Sequence, residues 1–240
     1  MKSEEPINLA GIVRLLLGDQ ILGLRTGIPL EDADGGGRAA TQFEDQVWFL
    51  DASTNTLSAI PPDLLAALSD ENNPVGLFME TFPPSDVHAR RRLTVRTNGG
   101  VYQGSGAIIH HALESLPPRT TVAFLADAAV VALRTFRQLR ADIDSAHAVT
   151  WLVFTDGRLL PGAPLFFPFV LLVVVVGVGP AEVTRIVNLR NCEPSTWGKE
   201  IRAARKREGG EADNAVVLRG VRLGQGPWTY ERWTKAYSKL

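Results

Sequence analysis

Asp51-Ala52-Ser53-Thr54-Asn55 places a carboxylate, a hydroxyl and an amide oxygen at alternate positions, directly after the apolar run Val47-Trp48-Phe49-Leu50. Oxygen ligands converging past a strand end suit a hard divalent cation such as Mg²⁺. The same residue types also favour N-caps and turns. A second buried run, Val149 to Phe154, ends in Thr155-Asp156-Gly157. If the two strands are neighbours, Asp51 and Asp156 point into one crevice.

Other constellations are weaker. Gly177-Val178-Gly179-Pro180-Ala181-Glu182 follows an apolar run, but Glu182 stands where a dinucleotide fingerprint has its third glycine. An acid there opposes a pyrophosphate at a helix N-terminus. His110 and His111 are adjacent and diverge on a helix, so they cannot share one small ion. No Gly-x-Ser-x-Gly elbow supports a triad of Ser53, His147 and Asp156. The basic run Arg202 to Arg207, with Trp228 and Trp233 downstream, reads either as an arm for a large partner or RNA, or as a solvated helix whose tryptophans pack on the body.

The elements that must hold these residues alternate. The spacing predicts a helix over Asn8 to Leu24, with Gly18 and Asp19 as a break point, then a glycine-rich loop from Thr26 to Thr41. Strands are expected at Val47–Leu50, Val75–Phe82, Arg91–Arg96 (nearer the sheet edge), Val149–Phe154, Phe169–Val176 and Ala215–Val221. Helices are expected at Leu64–Leu68, Gly106–Leu116, Thr121–Leu139 (the longest), Ala181–Leu189 and Lys199–Glu208. This pattern predicts an α/β fold: a doubly wound, mostly parallel central sheet flanked by helices. Sites in such sheets form outside the carboxyl ends of the strands.

The chain has 240 residues, 45% hydrophobic and 21% charged, with a formal net charge of −1. No global charge excess calls for nucleic acid or a membrane surface. The single cysteine, Cys192, excludes an intrachain disulfide and a cysteine-cluster metal site. The N-terminus has no secretory signal, and the apolar run Leu165 to Val178 is too short for a spanning helix and is interrupted by Pro168. An intracellular, most simply cytoplasmic, protein without a membrane span is the expectation.

Taken together, these motifs resemble a von Willebrand factor A domain, and within that family most closely the A domain of copines. The resemblance rests on Asp51-Ala52-Ser53-Thr54-Asn55, on Val153-Phe154-Thr155-Asp156-Gly157 and on Val174-Val175-Val176-Gly177-Val178-Gly179-Pro180-Ala181-Glu182, in the family's order. Asn55 departs from the family's serine, and Ala123 stands at its middle threonine, with Thr121 nearby. The resemblance implies a Rossmann-like A domain over residues 43–193, after an N-terminal helix and loop (1–42) and before a C-terminal extension (194–240). It implies a degenerate metal-ion-dependent adhesion site of Asp51, Ser53, Asn55, Thr121 and Asp156, holding Mg²⁺ or none. The function it implies is a non-catalytic scaffold or assembly subunit that binds a protein partner, with nucleic acid engaged only through the basic C-terminal arm. The rival expectation is a nucleotide-binding or hydrolytic α/β enzyme using the same crevice.

Overall fold

The computed structural model describes residues 7–26, 46–50, 57–70, 75–81, 94–97, 100–160, 163 and 165–237. The turn carrying Asp51, Ser53 and Asn55 and most of the glycine-rich loop lie outside them.

Helix α1 (Leu9–Leu17) starts at Asn8, whose side chain accepts the Gly11 N–H at 3.0 Å. Leu9, Ile12, Val13 and Leu16 form its buried stripe, and Gly18 ends it at φ 99° with its N–H on the Arg14 carbonyl. The predicted helix through Leu24 is therefore corrected: Ile21–Thr26 is strand β1. Ile21 and Leu22 are buried in different layers of the core, so both faces of this strand are covered.

The chain continues through β2 (Gln46–Leu50), α2 (Pro62–Leu68), β3 (Gly76–Glu80), β4 (Thr94–Thr97), β5 (Gly100–Gln103), α3 (Ser105–Ser115), β6 (Thr121–Asp127), α4 (Ala129–Ala132), α5 (Arg137–Ala146) and β7 (Ala148–Thr155). Then follow β8 (Phe169–Val175), β9 (Val183–Asn188), α6 (Trp197–Lys206), β10 (Gly210–Ala212), β11 (Ala215–Arg219) and α7 (Tyr230–Tyr237). Among the described residues nine strands form one sheet in the order β10-β11-β9-β7-β8-β6-β3-β1-β2, and β4 pairs with β5 in a separate antiparallel ribbon.

Three further expectations are corrected here. Thr121–Leu139 is not one helix: Val122 to Ala126 are all buried in a strand, and helix resumes only at Ala129. Five consecutive apolar residues satisfy helical and strand spacing alike, and burial on both faces decides for strand. Val183–Asn188 is a strand rather than a helix. The sheet is mixed, not mostly parallel: four of its eight pairings are parallel and four antiparallel. Strands β1, β2, β3, β6, β7, β9 and β10 share one direction, with β8 and β11 reversed.

Each face of the sheet carries its own apolar layer. One collects Leu64 from α2, Leu113 from α3, Leu139 and Ile143 from α5, and Trp228 and Trp233. The other collects α1 and the Trp197, Ile201 and Ala204 stripe of α6. The segment after β11 is clamped onto the first layer by two charged residues of α5. Asp144 accepts the backbone N–H groups of Leu223 (2.9 Å) and Gly224 (3.0 Å). Arg140, 1% exposed, donates to the carbonyls of Val130, Leu133, Gln225 and Gly226. Burial, with a smaller effect from Arg232, lowers its pKa to about 10, so it stays cationic at neutral pH.

Arg140→Met removes all four donors and leaves buried carbonyls unpaired. The expected loss is about 3 kcal/mol of unfolding free energy in a denaturant titration. Asp144→Ala loses about 1–3 kcal/mol, and the double variant loses less than the sum because both side chains hold the same segment.

Candidate functional site

The site is fixed by where the order of strand addition reverses. After β1 the chain adds β2 on one side; it then returns to add β3 on the other side, and β6 beyond it. In open α/β sheets, a crevice outside the carboxyl ends of the strands opens at such a switch point. Here it lies between the ends of β1 and β3.

Charged residues end these otherwise apolar strands. Arg25, near the end of β1, lies 3.7 Å from Glu80, the last residue of β3, with side chains 9% and 16% exposed. Glu80 stands beside Leu125 of β6, and Asp127 ends that strand. Strand alternation puts Arg25, Glu80 and Asp127 on the same face as Ile21, Phe78 and Leu125, the layer covered by α1 and α6. Just past Glu80, Thr81 donates its hydroxyl to the Leu125 carbonyl at 3.0 Å, and the Ser105 hydroxyl donates to the Thr81 carbonyl at 3.0 Å. Asp127 accepts the Ala129 N–H at 2.8 Å and so opens α4. The β3 end is thereby pinned to β6 and to the start of α3.

Of the predicted metal ligands, Thr121 and Asp156 are among the described residues, and they are not brought together. Strands β2 and β7 run in the same direction in the same sheet, but β1, β3, β6 and β8 stand between them. Five interstrand steps put Leu50 and Thr155 about 24 Å apart, far beyond the reach of one ion. Thr121 opens β6 and is level with Ala148 through Val175, whereas Asp127 is level with Thr155 through Phe169. Thr121 therefore sits at the opposite rim, about 20 Å from Asp156 along the strands. Among the described residues no group of three His, Cys, Asp or Glu side chains could hold a metal ion. Ser53 and Asn55 lie outside the described residues.

Asp156 has a different partner. Its two oxygens accept Arg158 Nε (2.8 Å) and Arg158 Nη2 (2.7 Å), and Oδ1 also accepts the Arg158 N–H. Arg158 continues to the carbonyls of Arg190 and Cys192 and lies over the Trp197 ring. Burial by itself raises the Asp156 pKa, but the Arg158 hydrogen bonds and the charges of Arg158 and Arg190 outweigh it, and the net shift is downward. The residue ties the turn after β7 to the start of α6. His147 is at the other rim, where its Nδ1 accepts the Gly177 N–H; burial lowers its pKa.

Sequence reasoning missed Arg25, Glu80 and Asp127. Glu80 and Asp127 were discoverable as acids ending apolar runs, by the same signal that singled out Asp51 and Asp156. Asp127 was hidden because its strand carried a helical spacing.

No family model and no curated protein matches this sequence. Several solved structures are similar. A type I restriction-modification methyltransferase subunit from Streptococcus thermophilus is 11% identical, with TM-score 0.47 over 90% of this chain and 55% of that one. A modification subunit of a type I restriction enzyme from Vibrio vulnificus is 7% identical, with TM-score 0.46 over 65% and 35%. A class I S-adenosylmethionine-dependent methyltransferase from Listeria monocytogenes is 14% identical, with TM-score 0.40 over 56% and 43%. This chain thus spans about a third of the Vibrio subunit and just over half of the Streptococcus one. At these scores the likeness is one of outline.

The A-domain resemblance is overturned. A strand stands at Val183–Asn188 where the resemblance put a helix, and Thr121 and Asp156, the two predicted ligands among the described residues, lie at opposite rims of the sheet. The copine-like, magnesium-dependent, non-catalytic scaffold falls with it. Among the described residues no helix is long and apolar enough to cross a membrane.

The Asp156–Arg158 pair generates a pH prediction. A carboxyl whose pKa is depressed on folding stabilises the fold above its unfolded value near 3.8, and that stability is lost as the pH falls through the folded value. Asp156→Asn should cost about 1–2 kcal/mol at pH 7 in urea titrations, and the gap to the parent should close as the acid limb is entered.

Proposed function

We propose that this chain is the cofactor-binding core of an S-adenosylmethionine-dependent methyltransferase, with the cofactor in the crevice at the ends of β1, β2 and β3. The observation that carries the reading is the switch point between β1 and β3. The sequence complements it: β2 ends at Leu50 and the next residue is Asp51. An acid after the second strand of such a unit accepts ribose hydroxyls.

The charge of the rim selects among adenosine-bearing ligands. Arg25 is matched by Glu80, which leaves Asp127 and Asp51 as excess acid on these strand ends. That balance opposes a pyrophosphate, which needs N–H groups and cations. It suits a ribose diol together with an ammonium and a sulfonium cation. The residues present therefore fit S-adenosylmethionine, which supplies an electrophilic methyl group when bound.

Each residue has a distinct part in this reading. Asp51 would hold the ribose hydroxyls. Glu80, held by Arg25, would accept hydrogen bonds from the ammonium end. The Thr81–Leu125 and Ser105–Thr81 hydrogen bonds keep the β3 end from shifting, so the acid is positioned before any ligand arrives. The apolar layer of α1 beneath Arg25 and Glu80 excludes water from one side, which strengthens these charge interactions.

Calorimetric titration with S-adenosylmethionine tests the reading. One site per chain is expected, and at a hundredfold excess over Kd the ligand should add about 2.7 kcal/mol to unfolding. Asp51→Asn should weaken binding about tenfold or more with an unchanged melting temperature in the unliganded protein. Stabilisation by ATP and none by S-adenosylmethionine or S-adenosylhomocysteine would overturn it.

A further inference from the structure

We propose that the outer face of α6 docks the phosphate backbone of double-stranded nucleic acid. This surface is separate from the strand-end crevice, and the proposal stands without the cofactor reading. Trp197, Gly198, Ile201 and Ala204 bury one side of the helix, and Trp197 Nε1 donates to the Leu189 and Cys192 carbonyls. The opposite side is exposed, and there Lys199, Arg202, Ala203 and Lys206 line a recess of about 460 Å³. The three cations recur at helical spacing, spread over about 10 Å of helix axis. Ala203, small and set among them, leaves the recess open to a bulky anion.

The composition of this face is not accounted for by helix stability. Residues 197–207 contain five cations and one acid, Glu200, in a chain whose net charge is −1. Arg205 and Arg207 have structural work: Arg205 donates to the Leu15 carbonyl at the end of α1, and Arg207 to the Glu211 carbonyl. Lys206, in the last turn, suits the helix dipole. Lys199 does not, because it lies in the first turn, where a cation opposes the positive end of the dipole. Neither Lys199 nor Lys206 has an ion-pair partner among the described residues. A cation kept against the dipole, on the rim of a recess with two more, matches a polyanion.

The partner is a duplex rather than a single strand. Single strands are held by bases stacked on exposed aromatic rings as well as by charge. Trp197, Trp228 and Trp233 are all buried, so of the two readings of this stretch the one in which the downstream tryptophans pack on the body holds. What α6 offers is charge alone, the sequence-independent part of duplex binding.

Fluorescence anisotropy of the full chain with a labelled DNA duplex of about 20 base pairs, without cofactor, tests this. Three phosphate contacts give a log–log salt slope of about −2.7, a loss of about 40-fold in affinity between about 50 and 200 mM salt. Replacing Lys199, Arg202 and Lys206 together by Gln should abolish binding in a variant that still unfolds cooperatively. Lys206→Gln alone should reduce the slope by about one. Unchanged affinity in the folded triple variant overturns the proposal. So does equal binding of a single strand, or binding of phosphatidylserine vesicles in place of the duplex.

Discussion

The reversed strand β8 is the constraint on which the rest of the architecture depends. Its residues Phe169 to Val174 are buried, and it hydrogen-bonds along its length to β6 on one side and β7 on the other. Two parallel strands that would otherwise be neighbours are thereby separated, yet held level: Asp127, Phe169 and Thr155 share one row across the sheet. A central strand cannot slip by one residue without turning its apolar set to the wrong layer. The seven-residue register thus locks two halves of the molecule. On one side lie β2, β1, β3 and β6 with the switch-point crevice. On the other lie β7, β9, β11 and β10 with α6 and its basic face.

That division keeps the two proposed surfaces chemically apart. The crevice side ends in acids that already have partners, with Glu80 against Arg25 and Asp127 at the start of α4. The other side gathers arginines that are occupied in structure. Arg158 staples Asp156 to two carbonyls, Arg185 lies over Trp151 and donates to the Ala204 carbonyl, and Arg190 lies over Phe154. Opposite charges concentrated in different halves are less costly than the same charges mixed in one cleft, where each would quench the other's ligand.

Much of this was legible from residue patterns, and the failures have one physical origin. Gly106–Leu116, Val149–Phe154 and Phe169–Val176 were read correctly in kind because their flanking glycines and prolines, or their length, decided the period. Ile21–Leu24 and Thr121–Asp127 carry helical spacing because strands buried on both faces lose the alternation that marks a strand. These two are interior strands of the sheet, and missing them hid both the switch point and Asp127. The acids after β2 and β7 were seen, and their strands do run the same way. No local pattern encodes that four other strands intervene, so the inference of a shared ion did not follow.

The clamp made by Arg140 and Asp144 has a consequence for biogenesis. Their partners on the other side of the clamp, at Leu223 to Gly226, come 79 to 86 residues later in the chain. At ribosomal speeds of about 5–20 residues per second, α5 waits roughly 4–16 s for them. Throughout that interval the layer that will receive Trp228 is open on the nascent chain, so its closure is a late event of synthesis. A chaperone that shields apolar surface has its natural window there.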